Sequence, residues 1–227
     1  MTMPFGYVSP EQAMKDRADF ARKNVAKGRP LVALVCDGGV VLCAENPSRT
    51  LHKVSEIYDR IAFAGVGKYA EFDGLRTAGI RIADLKGYQY SREDVDARSL
   101  ANAYGQHLNQ IFTHEMKPLE VEILVAEVGY EPGDDQLFHI LYDGTVFDEQ
   151  QFSVLGGDAD TISERMKAAY TDGLTQDAAV KAAVAALAGP DRQLKATELE
   201  AAVLDRHNGR RAFRRIEPAE LGQLLGE

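Results

Sequence analysis

Gly65-Val66-Gly67-Lys68 is the first place where residue types and spacing suggest chemistry. Glycines before a lysine at the mouth of a helix are how backbone N–H groups cradle a phosphate. A phosphate loop also needs a glycine five residues before Gly67 and a hydroxyl after Lys68, and those positions hold Ala62 and Tyr69. A tight turn using glycine's conformational freedom is the better expectation. The histidines, His52, His107, His114, His139 and His207, form no HExxH pattern. His107 and His114 stand two turns apart on one helix face, too far to share a metal without a third ligand between them. Asp158 and Asp160 lack the rest of a calcium loop and read as charges favoured at a helix N-terminus. Neither a metal nor a cofactor is expected. Cys36 and Cys43 lie among Val, Leu and Ala and read as buried, inert thiols in a reducing compartment. Arg210, Arg211, Arg214 and Arg215 make the one basic cluster. On a strand they divide between two faces, which suits subunit or domain contacts better than an RNA-gripping stripe.

The elements that must carry these residues alternate between helix pairs and hairpins. Ser9-Pro10-Glu11-Gln12 is a helix start, with Ser as cap, Pro at the first helical position and Gln completing a capping box. Met14, Ala18, Ala21 and Val25 follow at helical spacing, and Gly28 is the expected C-cap. The other face carries Lys15, Asp16, Arg17, Asp19, Arg22 and Lys23. This helix, over 9–27, is expected to lie across a surface, and residues 1–8 read as a tail. Leu31–Cys36 and Val40–Ala44, around Asp37-Gly38-Gly39, predict a hairpin whose strands are apolar on both faces. A strand is expected at 60–65, then helices over about 68–86 and 92–115, ended by Pro118. Strands return at 121–128 and 137–142. Helices follow at about 159–171 and 175–188, ended by Gly189-Pro190. A hairpin, 199–204 with 212–216 around Asn208-Gly209, and a short helix from Pro218 close the chain. This order predicts two antiparallel sheets packed face to face with helix pairs outside, in a single domain over 1–227.

Composition narrows the function. Twenty-six Lys and Arg against 35 Asp and Glu leave a formal charge of −9. Such a balance disfavours duplex nucleic acid and anionic membrane as partners, since both need clustered cations. Hydrophobic residues at 45% and charged residues at 27% are ordinary for a globular chain. No basic and apolar leader opens the sequence, and no run approaches the ~18 apolar residues of a membrane span. A cytoplasmic location is expected.

The stretch Ala44-Glu45-Asn46-Pro47-Ser48-Arg49-Thr50-Leu51-His52-Lys53-Val54-Ser55-Glu56-Ile57-Tyr58-Asp59-Arg60-Ile61 carries a resemblance. It joins Tyr7-Val8-Ser9-Pro10-Glu11-Gln12-Ala13-Met14, Phe72-Asp73-Gly74-Leu75-Arg76, Ala202-Val203-Leu204-Asp205 and Arg211-Ala212-Phe213-Arg214-Arg215-Ile216. With these motifs in register along nearly the whole chain, the sequence resembles the α subunits of the bacterial, actinobacterial-type proteasome core particle. The resemblance implies an α+β fold, the four-layer α-β-β-α sandwich of the N-terminal-nucleophile hydrolases. Catalysis in that fold needs a Thr, Ser or Cys whose own amine becomes the chain terminus and serves as base. Family β subunits expose it by cutting a Gly-Thr bond ahead of the first hairpin strand. Here that place reads Gly28-Arg29-Pro30-Leu31, and Gly144-Thr145 lies in a mid-chain turn.

The resemblance therefore implies a non-catalytic subunit of a threonine-type endopeptidase complex. Copies would form the outer heptameric rings of the 20S core particle, beside β subunits. The rings would gate the entry of protein substrates, pupylated ones by family likeness, and dock the C-terminal tails of a ring-shaped ATPase or an ATP-independent activator. The alternative is an autoprocessed, active peptidase or amidase of the same fold. By resemblance, Thr2, Met3, Pro4, Phe5, Gly6, Tyr7 and Val8 form the pore gate. Lys53 receives the activator's terminal carboxylate in a pocket between adjacent subunits, and Pro10 belongs to the part that shifts on opening. Where other α subunits carry an aromatic further along the first helix, this chain has Asp19 and Phe20. The charged face of that helix and the loops near Glu45–Arg49 are the expected subunit contacts.

Overall fold

A computed structural model describes residues 9–227; the expected gate, Thr2 to Val8, lies outside the described residues. The chain order is α1 (Pro10–Val25), β1 (Leu31–Cys36), β2 (Gly39–Glu45), β3 (Val54–Tyr58), β4 (Ile61–Gly67), α2 (Tyr69–Gln89), α3 (Ala97–His114), β5 (Val121–Glu127), β6 (Gln136–Ile140), β7 (Val146–Glu149), β8 (Phe152–Leu155), α4 (Ala159–Ala169), α5 (Gln176–Ala188), β9 (Leu199–Asp205), β10 (Phe213–Ile216) and α6 (Pro218–Leu225). Two five-stranded sheets result, ordered β10-β9-β2-β1-β8 and β3-β4-β5-β6-β7. Their strand pairs run antiparallel.

Period-two side chains give each sheet two apolar faces, and three buried layers follow. Leu31, Ala33, Val40 and Leu42 of the first sheet meet Ala62, Ala64, Leu124 and Leu137 of the second between the sheets. On the first sheet's outer face, Val32, Leu34, Val41 and Cys43 pack under Ile162 and Met166 of α4 and Val180 and Val184 of α5. On the second sheet's outer face, Phe63, Val125 and Phe138 lie under Phe72 of α2 and Leu100, Tyr104 and Leu108 of α3. Burial pushes the Cys36 thiol up to about 11 and the Cys43 thiol up to about 12, so both stay protonated and unreactive.

Several local expectations need correcting. Helix α1 stops at Val25, and Gly28 is not a left-handed cap; a Cβ there would stand 2.7 Å from Val66 Cγ1, so the glycine lets the chain pass close over β4. Ser9 does cap, accepting from the Gln12 N–H at 3.2 Å, but the Gln12 amide turns to Asp16 at 2.6 Å and leaves the box half-made. Strand β3 was not expected, because a bulge between Glu56 and Tyr58 interrupts its alternation. The short edge strands β7 and β8 were also unexpected. The Gly65–Lys68 segment is closed rather than open: Phe72 covers Gly65, and Gly67 takes a φ of 107°, the tight turn the spacing suggested. Asp158 caps α4 by accepting from the Thr161 N–H at 3.4 Å, as its position implied.

The basic cluster joins the sheets. Arg215 donates to the Val54 carbonyl at 2.8 Å, and Arg211 forks onto the Glu56 carboxylate of β3 with its closest contact at 2.6 Å. Arg214 points the other way, to Glu220 of α6 at 2.8 Å. Arg210 precedes the strand, and its closest carboxylate is Asp59 at 3.8 Å.

The inter-sheet layer should dominate stability. Leu124, fully buried there, is the direct probe. Leu124→Ala should lower the unfolding free energy by about 2–5 kcal/mol. Urea melts should show a lower midpoint at unchanged slope; an unmoved midpoint would contradict the layer's role.

Candidate binding site around Lys53

All the strand ends that matter here lie at one end of the sandwich: the start of β1, the end of β2, the starts of β3 and β9 and the end of β10. Helix α1 crosses this end, against β4 and β5. Val25 enters the inter-sheet layer and Ala21 is buried. Arg17 donates to the Phe112 carbonyl at 2.6 Å and Arg22 to the Tyr142 hydroxyl at 3.2 Å, so two cations of the charged face are held within the chain. Lys15, Asp16, Asp19 and Lys23 remain exposed. Beyond α1 the chain passes through Arg29 and Pro30 into β1. At the position where the resemblance implies a nucleophile in catalytic relatives stands Arg29, its guanidinium paired with Glu45 at 3.1 Å.

Lys53 is half-buried at the entry to β3. Its ammonium donates to the Arg29 carbonyl at 2.6 Å. Among the described residues it makes no ion pair. Burial, reinforced by Arg29, holds the ammonium down at about 8, against the upward pull of Glu200 and Glu45. Both carboxylates are already matched. Glu45 pairs with Arg29 and with Arg192 at 3.1 Å. Glu200 pairs with Arg215. Four cations thus surround two carboxylates, and the uncommitted one is Lys53. A cavity of about 390 Å³ adjoins Glu200, lined by Asn46, Ser48, Arg49, His52, Glu200 and Arg215 among others, though not by Lys53 itself. The arrangement suits an anion better than a cation or an apolar group. A carboxylate displacing the Arg29 carbonyl would gain a charge-assisted bond of ~1.5–3 kcal/mol.

Pro10 is not part of this constellation within one chain. It opens α1, a helix about 24 Å long, whereas Lys53 is bound just past the far end. Glu200, Arg215 and Asn46 were not picked out as site residues. The signal was present for Glu200, a lone carboxylate early in the apolar run Leu199-Glu200-Ala201-Ala202-Val203-Leu204. Among the described residues there is no cluster of three metal-ligating side chains and no helix long and apolar enough to cross a membrane.

A family model described as "Proteasome subunit" matches residues 25–204. The chain belongs to the proteasome subunit family. Its relatives include the proteasome subunit alpha of Acidimicrobium ferrooxidans, 61% identical over all of this chain and 97% of the relative. The proteasome subunit alpha of Sanguibacter keddieii is 56% identical over 99% of this chain and 90% of its own. That of Saccharopolyspora erythraea is 55% identical over 99% and 89%. The two sheets with helices outside are the α-β-β-α sandwich expected of this family of proteasome subunits.

The depressed ammonium has a measurable consequence. Between pH 8 and the unfolded lysine value near 10.4, the unfolded chain binds more protons than the folded one at Lys53. This residue should therefore make stability rise with pH across that window, and Lys53→Met should remove its share of the rise. NMR titration of the lysine side chains should show one midpoint near 8 that disappears in the variant. A Lys53 midpoint above 10 would contradict the buried geometry.

Proposed function

We propose that the chain is a non-catalytic α subunit of the 20S proteasome core particle, forming the outer heptameric rings of a threonine-type endopeptidase complex. The observation that carries this reading is full-length likeness to chains named proteasome subunit alpha, combined with Arg29 where a nucleophile would be needed. Peptidase activity then belongs to β subunits, and this chain controls access to them in the cytoplasm. The alternative, an autoprocessed peptidase or amidase, is not favoured. Cleavage after Gly28 would discard α1 and its packing and leave Arg29 as the new terminus, which offers no hydroxyl or thiol.

Ring neighbours are other copies, meeting through the exposed charges of α1 and the loop near Glu45–Arg49. A heterologous ring contact sets unlike patches together. Thr2 to Val8 would converge on the ring axis as the gate. Lys53 would receive the terminal carboxylate of an ATPase or ATP-independent activator tail, and the substrates would be tagged proteins, pupylated in this family. Because Pro10 and Lys53 stand at opposite ends of α1, the pocket joining them is formed across the junction between copies. Its movement at Pro10 would reach the gate directly, since the gate residues precede it. Where other α subunits carry the aromatic that helps hold the open state, this chain offers Asp19 and Phe20, a departure in the gate-opening region; the Lys117 ammonium lies 6.0 Å from the centre of the Phe20 ring.

The test pairs two variants in the complex with β subunits. Lys53→Ala should abolish activator-stimulated protein degradation while leaving basal peptide hydrolysis and assembly intact. Deleting residues 2–8 should raise hydrolysis of unfolded protein far more than that of small peptides. Normal activator affinity in the first variant would remove the docking assignment, and equal rates before and after deletion would remove the gate.

A further inference from the structure

We propose that Glu200 is the positioning residue of the Lys53 site: its buried carboxylate fixes the main chain at Lys53 and thereby the direction in which the ammonium is offered to an incoming carboxylate. The proposal rests on the docking reading of Lys53 and names the residue that makes it work.

Glu200 stands on β9 in the first sheet and is only 7% exposed. It accepts from the Lys53 N–H at 2.8 Å and the Val54 N–H at 3.3 Å, both on the chain entering the second sheet. It also accepts from the Asn46 side-chain amide at 2.7 Å and from the Arg215 guanidinium. His52 Nδ1 lies 3.2 Å away. An ionised carboxylate has about four acceptor positions, so this group is saturated by donors. Asn46 begins the loop leading into β3 and Lys53 ends it, so one carboxylate holds both ends. With the Lys53 backbone fixed in this way, its side chain reaches the Arg29 carbonyl rather than open solvent.

A glutamine in this place would have nearly the same shape but would be wrong in chemistry. Its amide nitrogen would face N–H donors, and the negative charge matching Arg215 would be gone. The charged groups around Lys53 are Arg29 before β1, Glu45 at the end of β2 with Arg192 beyond it, Glu200 on β9, Arg215 on β10 and His52 in the loop. Of these, Glu200 and Glu45 favour the ammonium form, and Arg29 opposes it. Losing Glu200 should make Lys53 easier to deprotonate as well as looser.

The experiment uses the full chain assembled with its β partner and a lysine-directed acylating reagent as probe, read by mass spectrometry across pH. In Glu200→Gln the Lys53 midpoint should fall by about one unit, the usual effect of removing a nearby opposite charge. The Lys53 and Val54 amides should lose hydrogen-exchange protection. Glu200→Asp keeps the charge one methylene further away; it should retain the wild-type midpoint more closely while still weakening amide protection. This second variant keeps the test decisive if the glutamine variant does not assemble. An unchanged Lys53 midpoint and unchanged amide protection in the glutamine variant would overturn the proposal, as would full protection in the aspartate variant if only that one assembles. Failure of the docking reading is seen separately, as normal activator affinity in Lys53→Ala with Glu200 intact.

Discussion

A sheet covered on both faces cannot hold a charge without a dedicated partner, and Glu200 sits in such a sheet. Its carboxylate lies at the one end of the inter-sheet layer where the second sheet can supply main-chain N–H donors, those of Lys53 and Val54. Arg215 completes the match from the neighbouring strand and reaches across to the Val54 carbonyl as well. A buried carboxylate stripped of one partner costs more than the bond itself returns. The position of β3 relative to β9, and with it the loop that presents Lys53, is therefore set by this group. The far end of the sandwich is closed differently, by Arg206 forked onto Asp135 at 2.7 Å and onto nearby carbonyls.

The same end of the molecule explains why the fold does not carry its own hydrolytic chemistry in the proposed reading. An N-terminal nucleophile needs an open cleft and a free amine at the mouth of β1. Here α1 crosses that mouth, Arg29 is committed to Glu45, and its carbonyl accepts the Lys53 ammonium. What such a site offers instead is a surplus cation in a half-buried position. That is a binding chemistry, suited to an anionic chain end rather than to bond cleavage.

The layers were legible in the sequence because Leu31–Cys36 is apolar throughout, Val121–Glu127 is interrupted only by Glu122 and its terminal Glu127, and the turn residues between strands are unambiguous. The hairpins at Asp37-Gly38-Gly39 and Asn208-Gly209 fold as their spacing implied. Strand β3 was hidden because its bulge breaks the period that marks a strand, and β7 and β8 because four residues at a sheet edge carry too little pattern. Lys53 stood out through family resemblance alone. Nothing local distinguishes it from a solvated lysine until Arg29, Glu45 and Glu200, far apart in sequence, are brought around it by the strand order. Glu200 showed only as one acid in an apolar run, and its meaning depends on donors from the other sheet.

A ring subunit of the proposed kind stays unprocessed and has no peptidase activity of its own. The most direct measurement is the mass of the chain, intact and in its native assembly, after purification with its β partner. An uncut residue 28–31 segment, no peptidase activity from the chain alone, and heptameric rings flanking the β rings are the predicted result. Loss of the residues through Gly28, accompanied by new peptidase activity in the isolated chain, would contradict it.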